Sequence, residues 1–256
     1  MNLTFLGTGT SQGIPIIGCK CNVCKSTDTK NIRLRSSAIV NINDVNILID
    51  CGPDFRQQML INQTKKIDAI LITHHHQDHV GGIDDVRPYN FLQNSAIEVY
   101  ASKESIKAIK NSYSYVFAQN RYPSSPLINT NTITYKAFEI KGIKIEPIKV
   151  MHGNMEIMGF KIGKLAYITD ASYIENSEIE KIKNCNTLII NALRHEPYYT
   201  HFNLEQALQM AKIVNAKKTY FTHISHQMGL HQEINDKLPE NIFLAHDQLK
   251  INIDFD

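Results

Sequence analysis

The sequence predicts an α/β (α+β) fold in which two sheets pack face to face with helices outside, and three observations carry that expectation. Strand-like runs crowd both halves of the chain. Helical patterns lie between them without strict alternation, as a simple parallel doubly wound sheet would require. No repeat, low-complexity segment or linker divides the chain, so one domain over residues 1–256 is expected.

Taken in order, the first strands are "LTFLG" (3–7), "SSAIVNI" (36–42), "VNILID" (45–50) and "DAILIT" (68–73). Asn43-Asp44 separates the second and third with turn chemistry, which predicts a hairpin. A helix follows Pro53 in "DFRQQMLIN", and another covers 102–117 with Ser102 as its cap. The stretch 119–132, "QNRYPSSPLINTNT", is expected to be a loop. Strands return at 143–150, 159–162, 165–170 and 186–192. A helix over 203–214 carries Asn203 and Gln206 as an N-terminal cap pair. Then come a strand at 218–223 and two late strands around "IFLA" and "LKINI".

The bulk numbers exclude several functions. Lys+Arg 27 against Asp+Glu 25 leaves a net charge of +2, too little to grip long nucleic acid by charge alone. No segment approaches the roughly 20 apolar residues of a membrane span. The opening "MNLTFLGTGT" has neither the basic stretch nor the apolar run of an export signal, so a cytoplasmic protein is expected. Without export, Cys19, Cys21 and Cys24 suggest metal binding rather than disulfides. Cys51 and Cys185 lie in apolar strand contexts and are expected in the core.

"THHHQDHVGG" (73–82) places four histidines and an aspartate at the end of a strand. If the strand geometry continues, His74 and His76 share a face and His75 points away. Asp78 and His79 follow a turn that Gly81-Gly82 would free the backbone to make. Three distant strand ends supply partners: His152 after "IKVM", Asp170 closing "LAYITD" and His223 closing "KTYFTH". The count supports two ions, with His74, His76, His152 and Asp170 on one and Asp78, His79, His223 and Asp170 on the other. This ligand mix suits Zn, Mn or Fe and leaves positions open for water.

These residues in this order, with the opening "FLGTGTSQGIP" and "LIDCG" containing Asp50, resemble the metallo-β-lactamase superfamily over essentially the whole chain. "GCKCNVC" combined with "THISHQ" resembles, within it, the phosphoribosyl cyclic phosphodiesterases of phosphonate breakdown. The resemblance implies a four-layer αββα sandwich with a dinuclear site at its edge, holding two divalent ions such as Zn or Mn. It also implies a structural zinc on Cys19, Cys21, Cys24 and His226. His201, just ahead of the 203–214 helix, becomes the expected general acid, and Asp78 counts with it as catalytic besides being a ligand.

The implied activity is hydrolysis of a small cyclic or nucleotide-like phosphodiester, of the phosphoribosyl cyclic phosphate type. Rivals are tRNA 3′-end processing, which in this superfamily uses a long basic arm not seen here, lactone or thioester hydrolysis, and a metal-binding scaffold without activity. The expected partners are a small phosphodiester and a second copy of the chain, with no membrane and no nucleic acid. "GTGTSQG" (7–13) lacks the Lys-Ser/Thr of a P-loop and is expected to be a tight glycine loop. His195, His231 and His246 have no partner pattern and are expected at the surface. Arg87 and Arg194 could contact a phosphate, although arginines are so often surface residues that neither is assigned.

Overall fold

The computed structural model describes residues 1–255. Six strands build most of one sheet: β1 (Asn2–Gly7), β2 (Ser37–Ile42), β3 (Val45–Ile49), β4 (Ala69–Leu71), β5 (Ile97–Ala101) and β6 (Ile128–Thr132). Seven build the other: β7 (Phe138–Ile140), β8 (Ile143–His152), β9 (Met155–Ile162), β10 (Leu165–Tyr167), β11 (Thr187–Asn191), β12 (Lys218–Thr222) and β13 (Ile242–Leu244). The last strand, β14 (Lys250–Asn252), returns to the first sheet beside β1. Each sheet starts antiparallel and ends parallel. The change falls at β3–β4 in one sheet and at β10–β11 in the other.

Period-2 patterning puts these strands between two packing layers. Ile47 and Ile49 face the core between the sheets while Leu48 faces the helices outside. Ala69 and Leu71 divide from Ile70 in the same way. In the second sheet Ile189 faces inward and Leu188 and Ile190 face outward. Phe5, Phe160, Tyr167 and Tyr220 fill the space between the sheets. Phe55 and Met59 from one outer helix, and Ile106 and Ile109 from another, cover the first sheet. Ile179, Ala207, Met210 and Val214 cover the second. The result is the expected αββα sandwich. Among the described residues, no helix is long and apolar enough to cross a membrane.

Local signals explain most boundaries. Asn43 and Asp44 both take positive φ (45° and 65°), the mirror-image turn that matches strand twist, and β2–β3 is the expected hairpin. The Ser102 hydroxyl accepts from the Ser105 amide, and Asn203 and Gln206 form a reciprocal capping box. Two expectations change. The stretch 119–132 is not all loop, because β6 occupies its end, where Asn129 and Asn131 donate to Glu98 on β5. His231 is not a surface residue: it is buried, and its Nδ1 lies 3.0 Å from Nη2 of buried Arg33.

The turn that carries Asp78 and His79 is clamped onto the end of β3. The Cys51 amide donates to the His79 carbonyl (2.8 Å) and the Gly82 amide to the Cys51 carbonyl (2.9 Å). A Cβ on Gly52 would stand 2.0 Å from the Asp78 carbonyl oxygen, and one on Gly82 would stand 2.1 Å from the Gly52 oxygen. Gly81 and Gly82 have ordinary negative φ, so the pair permits close approach and not the unusual backbone angles expected from the sequence. Gly52→Ala should therefore push this turn outward, at a cost of about 1–3 kcal/mol. Denaturant unfolding should show a lowered midpoint, and metal content should fall with it; an unchanged midpoint would contradict the clamp.

Candidate metal centre

The carboxyl ends of β3, β4, β10 and β12, with the end of β8, meet at one edge of the sandwich. Three residues there leave their strands in the left-handed conformation: Asp50 (φ 62°), Asp170 (φ 57°) and His223 (φ 54°). Asp and His are among the side chains that tolerate this region best. In each case the backbone turn aims a polar group across the gap between the sheets.

Two ligand-capable groups result. His74, His76 and His152 each bring a ring nitrogen within 4.8 Å of the others, and Asp78, His79, Asp170 and His223 do the same with a carboxylate oxygen or ring nitrogen each. Nε2 of His74 lies 3.0 Å from Nδ1 of His76. Nε2 of His79 lies 3.1 Å from Asp78 Oδ2 and 3.4 Å from Asp170 Oδ2, and Nε2 of His223 lies 3.2 Å from Asp170 Oδ1. Atoms sharing a tetrahedral ion at about 2.0–2.1 Å would lie about 3.4 Å apart, so these spacings fit one ion in each group. Nε2 of His79 is buried and makes no hydrogen bond, an orphan that a bound cation would satisfy.

The other ring nitrogens are occupied, which fixes which nitrogen faces inward. Nδ1 of His79 lies 2.7 Å from Asp50 Oδ2, and that of His152 lies 2.9 and 2.8 Å from the carbonyls of Asp170 and Thr200. Nδ1 of His74 meets the Thr73 hydroxyl at 3.0 Å, and Nδ1 of His223 meets that of Ser36 at 3.2 Å. Thr73 is itself held by Asp50, which accepts from its amide at 2.8 Å. Asp50, Thr73 and Ser36 are supporting residues to which sequence reasoning assigned no role. Asp50 alone had a signal, as the acid of "LIDCG" at a strand end.

Charge in the site favours cations. Burial disfavours the protonated form of His79, yet Asp50, Asp78 and Asp170 outweigh it and hold His79 toward its cationic form. Burial pushes His74 well down and His223 down to about 4, so both are neutral with a free lone pair, the state in which imidazole binds metal. Burial works against ionising Asp170, but His223 and His79 hold its carboxyl well below the usual range. Asp78 follows the same balance, with burial opposed by His79, and falls to about 2.

His201 joins this centre. Its Nε2 stands 2.9 Å from Asp170 Oδ1, its Nδ1 is 2.8 Å from the Thr200 hydroxyl, and its ring stacks on His223. It lies within ligand reach of His152 and Asp170 as well. His75, by contrast, faces a separate groove beside Ser102 and Tyr135. A cavity of about 490 Å³ opens over the centre, lined by His76, Asp78, Asp170, His201 and His223 and, at its rim, by Ser11, Gln12, Arg194, Tyr198 and Gln227. Arg87 is elsewhere, donating to the Ser124 carbonyl.

The second expected site also assembles. Sγ of Cys19, Cys21 and Cys24 stand 3.4, 3.4 and 3.7 Å from Nδ1 of His226. With Zn–S of about 2.3 Å and Zn–N of about 2.0 Å, tetrahedral ligands lie about 3.5 Å apart, so the four atoms fit a closed structural site. The backbone amide of Cys24 donates to Cys21 Sγ, which with His226 beside it brings the Cys21 thiol down to about 6. Burial moves Cys24 the other way, to about 11. Cys51 and Cys185 are buried, as expected.

The Beta-lactamase superfamily domain matches residues 45–224. A crystal structure described as a new diphosphatase from the PhnP family superposes with a TM-score of 0.92 at 42% identity, covering 98% of this chain and 96% of that one. An octanoyltransferase of Porphyromonas gingivalis is 39% identical over 99% of this chain but only 52% of its own length, so the chain spans about half of that relative. Ribonuclease Z of Bacillus subtilis aligns over 99% of both proteins at 25% identity. Strand-end histidines and aspartates, the four-layer sandwich and these likenesses agree: this chain belongs to the beta-lactamase superfamily, with a PhnP-family protein among its relatives.

Proposed function

We propose that residues 1–256 form one metal-dependent phosphodiesterase domain that hydrolyses a small cyclic phosphodiester of the phosphoribosyl cyclic phosphate type. The observation that carries this reading is the pair of ligand groups at one edge of the sandwich, with Asp170 a member of one and within ligand reach of His152 of the other. His74, His76 and His152 would hold one divalent ion, Asp78, His79 and His223 a second, and Asp170 would serve both. Bound ions of this kind lower the pKa of water and stabilise charge on phosphoryl oxygens. Cys19, Cys21, Cys24 and His226 would hold a third ion, a structural zinc. The likeness to a PhnP-family diphosphatase supports chemistry at a phosphate bridging two groups.

The chain's own residues supply orientation and a proton. Asp50, Thr73 and Ser36 engage the Nδ1 atoms of His79, His74 and His223 and so leave Nε2 of each turned inward. His201, at the floor of the cavity with Thr200 on its far nitrogen, is placed to give a proton to the leaving oxygen. The transferase name of the P. gingivalis relative belongs to a protein about twice as long, and no cysteine lines the cavity over the metal centre. Cys51 and Cys185 are buried, and the other three cysteines face His226. Ribonuclease Z chemistry is the second reading, favoured by the end-to-end alignment. A small, half-enclosed cavity and the +2 charge favour a small substrate.

Three outcomes test the reading. Purified protein should carry close to three metal ions per chain, and replacing Cys19, Cys21 and Cys24 together by Ser should remove one and lower stability, because structural zinc contributes folding free energy. Undiminished stability would remove zinc from the fold. Asp170→Asn should abolish hydrolysis of bis(p-nitrophenyl) phosphate and loosen both catalytic ions, whereas His75→Ala should be nearly silent; a large His75 effect would shift the ligand register by one. His201→Ala should lose about 10²- to 10⁴-fold in rate on a poor leaving group such as a ribose hydroxyl. With p-nitrophenolate, which needs little protonation, the loss should be mild and metal content unchanged. Equal losses on both would make His201 a ligand or a positioning group.

A further inference from the structure

Cys19, Cys21 and Cys24 are half-buried, whereas Cys51 and Cys185 are buried, so an oxidant in solution reaches the first three alone. They sit at an open tip, where Ile17 is fully exposed and a Cβ on Gly18 would meet nothing within 4 Å. Cys21 and Cys24 also have the C-x-x-C spacing of dithiol redox pairs, in "CNVC". Their backbone makes one helix-like turn: the Lys25 amide donates to the Cys21 carbonyl at 3.1 Å and the Cys24 amide to Cys21 Sγ at 3.4 Å. Side chains three apart on such a turn have Cβ atoms about 5–6 Å apart, and a disulfide spans about 3.5–4.5 Å, so a small closure of the turn joins the two sulfurs. The same sulfurs hold a wall of the cavity over the metal centre. The Ile16 amide donates to Cys24 Sγ at 3.4 Å, and its carbonyl accepts from the Cys19 amide at 3.0 Å. Ile16 lines that cavity, as do His226 and Gln227. His223 is held independently of them, because the Ile224 amide donates to the Thr8 carbonyl and the Ser225 amide to the Leu193 carbonyl.

We propose that Cys21 and Cys24 are a reversible oxidation site for hydrogen peroxide, and that their disulfide opens the Cys/His site and loosens the cavity wall. One thiolate attacks a peroxide oxygen and breaks the O–O bond, leaving a sulfenic acid and a hydroxide. The second thiolate attacks the sulfenic sulfur, forms the S–S bond and expels a second hydroxide. The two sulfurs give up two electrons, the peroxide takes them, and two protons from solvent turn the hydroxides into water. Cys19 and His226 then remain, two ligands where a structural zinc needs four. A thiol reductant reverses the step by thiol–disulfide exchange. This inference rests on the reading of the Cys/His group as a zinc site.

The test titrates the reduced, metal-loaded chain with hydrogen peroxide and follows zinc with a colorimetric chelator. About one zinc ion per chain should be released for each peroxide consumed, with Cys21–Cys24 as the disulfide found by peptide mass mapping. The catalytic ions should stay bound. Hydrolysis of bis(p-nitrophenyl) phosphate should fall as zinc is released, and dithiothreitol with added zinc should restore both. Cys24→His keeps four ligands but lacks the pair, so it should retain its zinc at peroxide levels that strip the wild type. Zinc retained while the wild-type thiols oxidise, a disulfide through Cys19 instead, or equal zinc loss from Cys24→His overturns the proposal. If Cys24→His binds no zinc, the wild-type disulfide map and zinc release decide without it. Reduced protein with no zinc on these four residues sinks the zinc reading, while the map still shows whether Cys21 and Cys24 pair, so the two failures are distinct.

Discussion

Asp170 is the residue around which the centre is arranged, through its carboxylate on one side and its backbone carbonyl on the other. Its Oδ1 meets His201 and His223, its Oδ2 faces His79 and accepts from the Thr169 hydroxyl at 2.5 Å, and its backbone carbonyl meets His152. A charge this buried stands only where positive or polar partners surround it. A left-handed non-glycine residue also carries strain of the order of 1–3 kcal/mol, which persists only where neighbours over-determine it. Here they do. The Asn191 side chain, on neighbouring β11, accepts from the Ala171 amide and donates to the Ala171 carbonyl, and the Phe202 amide donates to that same carbonyl.

The same device recurs on the facing sheet. Asp50 leaves β3 in the left-handed conformation, and the Ser37 hydroxyl on β2 donates to the carbonyls of both Ile49 and Asp50. Parallel strands in both sheets finish at this edge, and the usual place for a ligand in such sheets is outside their carboxyl ends. The arrangement has an energetic logic. Strand backbones are already fixed by the two-sided core, so little further entropy is lost in holding the side chains at their ends. Precision at the metal centre thus comes from the Ile47–Ile49 and Leu188–Ile190 layers, although none of those side chains touches it.

How much of this was legible in the sequence depends on range. Short-range signals worked: the Asn43-Asp44 turn, the Ser102 cap and the Asn203/Gln206 box are fixed by residues within a few positions of each other. The seven strand-end side chains were legible because their chemistry stands out against apolar runs, and the structure brings all seven together. The pairing that failed was long-range. The β6 segment "INTNT" is polar and carries no strand signal of its own; it becomes a strand through an exposed edge whose side chains bond Glu98. His231 looked solitary because its partner, Arg33, is 198 residues away. The 176–182 helix and the 87–93 helix went unassigned, being short and weakly patterned.

That long-range character also accounts for the Cys/His site. Between β1 and β2 the chain runs from Thr8 to Ser36 without a strand; of its apolar side chains Ile14 and Val23 are buried, while Ile17 and Ile32 are exposed. Such a segment has too little core to order itself, and the rim of the cavity, Thr10 to Ile16, belongs to it. Two polar cross-links take the place of a core. Buried Arg33 donates to the Thr8 hydroxyl and the Ala245 carbonyl, tying the end of the segment to its start and to the C-terminal region. At the tip, Cys19, Cys21 and Cys24 reach His226, some 200 residues on, and one ion shared among them would close that loop at the helical turn that also presents Gln227. A closure spanning that length removes more freedom from the unfolded chain than any local contact. It would act on a segment with few buried apolar side chains, beside the site it would keep in shape.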